Sequence, residues 1–209
     1  EVGLTERDSY GTRILPDGRP AKVTVESAGE NSVEGDVLEL IRDYWAEIGI
    51  KIFVRVSQRE LLRRRLKGGD TIMTVGQGID NGIPTADMSP KDLAPTSDDH
   101  QHWPLWGLHS LSGGSDGHAP DMPEAVRLLS LLTAWQKAAN ATERADIWHE
   151  MLALYTDQVF TIGTVNATLQ PVVHAEQLRN VPMDGLYGYD PLSYLGVYMP
   201  DTFWYDRDA

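Results

Sequence analysis

The stretch AKVTVESAGENSVEGDVLELIRDYWAEIGIKIFVRV, residues 21–56, decides the fold. Val23 and Val25 alternate with Lys22, Thr24 and Glu26, the period of a strand with one apolar face. Val33, Val37, Ile41, Tyr44, Trp45 and Ile48 then recur at helical spacing. Asn31 or Ser32 can cap that helix, and Gly49 stands where a left-handed C-terminal residue is wanted. Ile50, Ile52, Val54 and Val56 alternate again. Strand, crossover helix and strand predict a right-handed parallel βαβ unit, hence an α/β protein.

Upstream, residues 1–20 are polar, and Pro16-Asp17-Gly18 has turn chemistry: Pro presets its φ and Gly accepts a positive one. Downstream, Ser57-Gln58-Arg59-Glu60 has the pattern of a capping box. It predicts a short helix through Leu66, with Leu61, Leu62 and Leu66 turned inward. Arg63, Arg64, Arg65 and Lys67 then read as a solvated face that also complements the helix C-terminal dipole. Gly68-Gly69 ends the helix, and residues 71–75 are a candidate third parallel strand. Residues 76–120 are the least regular part, rich in Gly and Pro, and hold His100, His102, Trp103, Trp106, His109 and His118. A long loop inside a compact domain is often functional. Helical order returns at Pro123, with Val126, Leu129, Leu132 and Trp135 in period. It continues past an Asn140/Glu143 cap pair to Ile147, Met151, Leu154 and Tyr155, which predicts an αα-hairpin. Residues 159–165 and 169–173 read as two strands. The tail from Glu176 is aromatic and wraps a surface rather than forming a core of its own.

Hydrophobic residues make up 41% and charged ones 23% of the 209, which fits a packed globular core. The net charge of −13 disfavours a nucleic-acid backbone or an anionic membrane as the main partner. Absence of cysteine excludes disulfides, zinc-thiolate sites and cysteine nucleophiles, and suits an extracytoplasmic bacterial protein. No apolar run approaches the ~20 residues of a membrane-spanning helix. The chain opens without Met and without a basic-then-apolar leader, as expected of a processed protein or a piece of a longer one.

Three patterns bear on chemistry. Gly76-Gln77-Gly78-Ile79-Asp80-Asn81-Gly82 follows a predicted strand, but the dinucleotide fingerprint needs glycine where Asn81 stands, and Pro84 and Pro90 oppose the required helix. The plainer reading is a loop at the carboxyl end of a parallel strand, where open α/β sheets hold ligands. Asp98, Asp99, His100, His102 and His109 have metal-ligating chemistry but lie in a loop without helical pairing, and no cofactor is expected. Trp103 and Trp106 are either tucked into the core or facing a ligand, since indole both packs broadly and stacks on planar or sugar faces. Trp45, Trp135 and Trp148 read as core. No nucleophile elbow exists, because Gly114-Ser115-Asp116-Gly117 has the wrong spacing.

Several segments in order resemble bacterial extracellular solute-binding proteins of family 5, the peptide-binding class of ABC importers. They are Gly3-Leu4-Thr5 with Asp8, Gly11, Arg13 and Pro16-Asp17-Gly18, then Ala46-Glu47-Ile48-Gly49-Ile50-Lys51-Ile52, then Lys67-Gly68-Gly69-Asp70. Glu143-Arg144-Ala145 through Tyr155, Phe160-Thr161-Ile162-Gly163-Thr164-Val165 and Leu178-Arg179-Asn180-Val181-Pro182 complete the set. The usual aromatic-Asp pairing is altered, with Asp70 followed by Thr71-Ile72. The resemblance implies a bilobal flytrap with ligand in the cleft. This chain would be its C-terminal lobe, a periplasmic-binding-protein-like type II lobe with a βαβ core and a mixed sheet flanked by helices. Residues 1–175 would form the lobe, and 176–209 a tail returning towards an N-terminal lobe. The implied function is oligopeptide binding for uptake, by a periplasmic or membrane-anchored lipoprotein working with an ABC permease and not as an enzyme. An oligosaccharide receptor of the same family is the alternative, and a metal-dependent hydrolase the rival of another class. Expected ligand contacts are Gln77, Asp80 and Asn81 through hydrogen bonds, Trp103 and Trp106 through stacking, and His109.

Overall fold

In the computed structural model, which describes residues 3–30, 32–76, 89–164, 171–183 and 200–206, the predicted βαβ unit forms. Strand β1 (Lys22–Ser27) lies parallel to β2 (Lys51–Val56), with Val23 opposite Ile52 and Val25 opposite Val54. Helix α1 (Ser32–Glu47) makes the crossover. Gly49 ends it at φ +88 and its N–H bonds to the Ala46 carbonyl, a left-handed stop that a Cβ would strain. A third strand, β3 (Met73–Thr74), pairs parallel with the other edge of β1 and gives the order β2-β1-β3. Among the described residues this sheet is parallel throughout.

The core beneath α1 is Val25, Leu38 and Ile52, with Ile41, Trp45, Val54, Met73 and Val75 packed against it. Only one side of α1 takes part: Val33, Leu40 and Tyr44 are more than half exposed, as is Ile48 just past the helix end. Helix α2 (Arg59–Lys67) follows β2 and buries Leu62. Its cap falls on Gln58, one residue later than the capping-box pattern predicts, and makes no side-chain bond. The box therefore does not close, and the buried Ser57 hydroxyl has no hydrogen-bond partner. Leu61 is 46% exposed rather than inward.

The lead-in folds onto the start of the unit. Pro16-Asp17-Gly18 turns as predicted, with Gly18 at φ +83 and its N–H bonded to Leu15. Arg13 donates from Nε to the Ile48 carbonyl at 2.5 Å and from its backbone N–H to Gly49. The chain forms two compact units: residues 1–76 with 95–120, and residues 77–94 with 121–209.

In the second unit, α4 (Pro123–Lys137) and α5 (Ala141–Asp157) form the predicted antiparallel hairpin. Asn140 accepts from the Glu143 N–H at 2.9 Å and caps α5. Arg127 on α4 bonds Glu150 on α5 across the pair. The buried face of α4 is Ala125, Leu128, Leu131 and Leu132, against Met151 and Tyr155 of α5 and the turn at Pro90–Leu93. Val126 is 49% exposed, so the apolar face is rotated from the predicted one.

The two strands predicted at 159–165 and 169–173 do not form among the described residues of those segments. Ile162, Val172 and Val173 lie exposed there, and a ladder needs a partner strand. Residues 165–170 lie outside the described ones. A short antiparallel pair, β4 (Leu178–Arg179) with β5 (Trp204–Tyr205), occurs in the tail and was not predicted.

Candidate functional site

Parallel strands aim their carboxyl ends the same way, and the order β2-β1-β3 places the reversal of the chain at β1. The residues at that end of the first unit define the candidate site. Ser27, the last residue of β1, donates from Oγ to Glu34 on α1 and accepts the Gly29 N–H at 2.9 Å. Thr74 of β3 donates from Oγ1 to the Glu26 carbonyl at 2.8 Å, closing the edge between the strands.

Glu26 is the unexpected residue. Strand alternation points it away from the apolar face, yet it is 3% exposed, because α2 covers the second face of the sheet. Arg65 meets its carboxylate with two bonds of 2.9 Å, from Nε to Oε2 and from NH2 to Oε1. The Arg65 fork holds the carboxyl below its usual range, against burial, which pushes it up; the nearby Arg55 charge helps. Thr24, Glu26, Arg55, Arg65, Asp70 and Ile72 line a hollow of about 170 Å³ on this face. The basic run of α2 is thus not only a solvated face. Arg65 is tied to Glu26, and Lys67 to Asp98 at 2.6 Å and Asp99 at 3.1 Å.

Those anchors hold the 95–120 segment against the end of α2, before β3, and Gln101 carries it to Gly76, after β3. Asp98 and Asp99 hold it on α2, and the side chain of Leu105 lies against Gly69. Gln101 lies against Gly76, where a Cβ would stand 2.1 Å from its Oε1, so a side chain there would push the Gln101 amide aside. The region predicted to be loop also contains α3 (Pro104–Leu111), opened by Pro104 at a first helical position. Ser110 fixes the helix by donating from Oγ to the Pro95 carbonyl at 2.7 Å.

The predicted ligand residues divide. Gln77, Asp80 and Asn81 lie outside the described residues. Trp106 and His109 sit three apart on α3, hence on one side of it, and both are half-buried. Trp103 is 4% exposed at the head of α3. Its Nε1–H donates to His100 Nδ1 at 3.1 Å, and His102 covers its ring at 3.9 Å between centroids. Of the two readings left open for Trp103, this placement is core packing. Among the described residues no three His, Asp or Glu side chains are grouped to hold a metal ion.

His102 carries a testable consequence. Burial against its neighbours pushes its pKa from 6.5 down to about 4, with the like charge of His100 a smaller cause, although much of the residue's outer surface still meets solvent. Between those two values the unfolded chain holds a proton that folded His102 lacks. Stability therefore falls as pH drops from 6.5 towards 4 and is not affected by this group above 6.5. An NMR titration of the His102 ring checks this: a midpoint well below 6 is expected, and one at 6.5 contradicts it.

Comparison with solved structures gives the fold a home. The oligopeptide-binding protein OppA superposes with a TM-score of 0.66 at 24% identity, covering 86% of this chain and 30% of that one. The periplasmic binding protein MelB from Agrobacterium fabrum, in complex with stachyose, gives 0.57 at 19% identity, covering 78% and 24%. A mannohexaose-bound periplasmic oligopeptide-binding protein of an ABC transporter, from Thermotoga maritima, gives 0.50 at 14%, covering 76% and 27%. No family model and no curated protein matches the chain. The fold is therefore that of part of a periplasmic solute-binding protein, as the ordered sequence motifs imply. The chain spans less than a third of the length of each of these structures. All three neighbours are binding proteins rather than enzymes, and among the described residues no helix is long and apolar enough to cross a membrane.

Proposed function

We propose that this chain is the C-terminal, type II lobe of a family 5 solute-binding protein and captures an oligopeptide for an ABC importer. The observation that carries the reading is the likeness to OppA over 86% of the chain, in a segment that also bears the family's motifs in order. In this reading residues 1–175 make the lobe and the tail from 176 turns towards an N-terminal lobe. The protein works outside the cytoplasm, in the periplasm or anchored to the membrane as a lipoprotein, beside its permease. Ligand closes the lobes by a hinge motion, with no chemical step.

Gln77, Asp80 and Asn81, on the segment after β3, supply hydrogen bonds to the solute; Trp106 and His109 supply an apolar and a polar contact from α3. Trp103, buried at the head of α3, holds His100 and His102 against its indole. An oligosaccharide is the second ligand class, favoured by the stachyose and mannohexaose carried by two of the structural neighbours and by the half-buried indole of Trp106, which suits a sugar face.

Mass spectrometry of solute co-purifying with the full-length receptor tests the reading. Peptides alone would discard the sugar class, and oligosaccharide alone would discard the peptide class. No solute at all, with stoichiometric metal and hydrolytic activity lost in His102→Ala, would replace the whole reading with the hydrolase. In calorimetry with the identified solute, Trp106→Ala is expected to weaken binding about tenfold or more, the scale of one lost aromatic contact.

A further inference from the structure

Helix α1 carries two apolar stripes, and the sheet uses one. Leu38, Ile41 and Trp45 face the core. Val33, Val37, Leu40, Tyr44 and Ile48 form a second stripe at steps of four, three, four and four residues, the spacing of a helix-pairing seam. Within it Val33 is 63%, Leu40 56%, Tyr44 64% and Ile48 51% exposed. On the helix the stripe runs from Val33 to Tyr44, about 17 Å at 1.5 Å per residue, which is long enough for three turns of a partner helix, and Ile48 extends it just past the helix end. A continuous apolar line of this kind on a surface helix marks an interaction face.

The charges beside it say what kind of partner fits. Asp36, Glu39, Asp43 and Glu47 follow at steps of three, four and four along one flank of the stripe. Helix α1 has Arg42 as its only basic residue, and Arg42 is engaged by Glu39 and lies beside Asp43. The last turn holds no basic residue, although Asp43 and Glu47 stand near the negative end of the helix dipole. Their placement is unfavourable for an isolated helix, and a cation brought from outside would relieve it. A second copy of this chain would bring the same acidic flank, on a protein already at −13.

We propose that the outer stripe of α1 docks an amphipathic helix of another protein, with its apolar side on Val33, Leu40 and Tyr44 and a row of Lys or Arg against Asp36, Asp43 and Glu47. The pairing is the helix-on-helix mode, in which apolar anchors give affinity and flanking charges give orientation and partner choice.

The test uses the 209-residue chain, isotope-labelled, with two synthetic 18-residue helical peptides sharing one leucine seam, one flanked by lysines and one by glutamates. Expected is a chemical-shift footprint on residues 33–48 with the lysine peptide only. Binding should weaken at least tenfold in Leu40→Glu/Tyr44→Glu and fall with salt. An Asp43→Asn/Glu47→Gln variant, which leaves the seam intact, should weaken the lysine peptide severalfold. Equal binding of both peptides, a footprint elsewhere, or protection of the α1 stripe from solvent probes in the free chain would overturn the proposal. So would a dimer in analytical ultracentrifugation that Leu40→Glu dissociates, which would assign the face to a second copy.

Discussion

Glu26→Ala is expected to lower stability by about 3 kcal/mol, read as a shift of the denaturant midpoint at unchanged slope. The variant removes one partner of an ion pair whose carboxylate side is 4% exposed and whose guanidinium is 31% exposed. Among the described residues Arg65 would then keep the Asp70 carbonyl, 2.8 Å from NH2, on a partly covered face of the sheet. The loss exceeds what the pair itself contributes, because an uncompensated charge is costlier than a missing attraction. Replacing both partners, as Glu26→Met/Arg65→Met, should therefore recover most of the loss. If the single and double variants were equally unstable, packing rather than charge would be responsible. The pH dependence follows with its sign. Folded Glu26 has its pKa held below 4.5, so this stabilisation is fully present above about that pH and is lost as pH falls through the lowered folded value.

Gly107→Ala is the second large effect, with an expected loss of about 3 kcal/mol or more. A Cβ at Gly107 would stand 1.9 Å from the Ser97 carbonyl oxygen, 2.3 Å from its carbon and 2.9 Å from the Asp98 nitrogen. These are backbone atoms, so no rotamer change relieves the clash, and either α3 or the 95–103 segment has to move. Amide exchange is expected to rise across residues 95–111 while α1 and β1 keep their protection. Uniform loss of protection across the first unit would show that this segment is part of its cooperative core instead.

The βαβ unit and the third strand were legible because period-2 and period-3.6 runs alternate with strong stops such as Gly49. Glu26 was not, because alternation assigns a strand two faces but does not say whether the polar one is covered; α2 covers it. Helix α3 was hidden among glycines and prolines, and Pro104 at its first turn was the available signal. Trp103 and Trp106 look alike in sequence and differ in place, since one heads the helix and is buried while the other lies on its side. The strands predicted at residues 159–165 and 169–173 show the opposite failure. Their composition is right, but β-structure is a property of pairs, and the described residues there join no strand. The capping box at Ser57 missed by one residue.

The discontinuity of the first unit has a consequence for how the protein is made. Residues 1–76 leave the ribosome before residues 95–120, and the stretch between them belongs to the other unit. Until the second piece emerges, Lys67 lacks Asp98 and Asp99, Gly76 lacks Gln101, and Gly69 lacks Leu105. Without the second piece, the α2 side of the sheet is therefore unfinished. Within the first unit, the contacts between α2 and residues 95–120 close after the sheet's own strands are available.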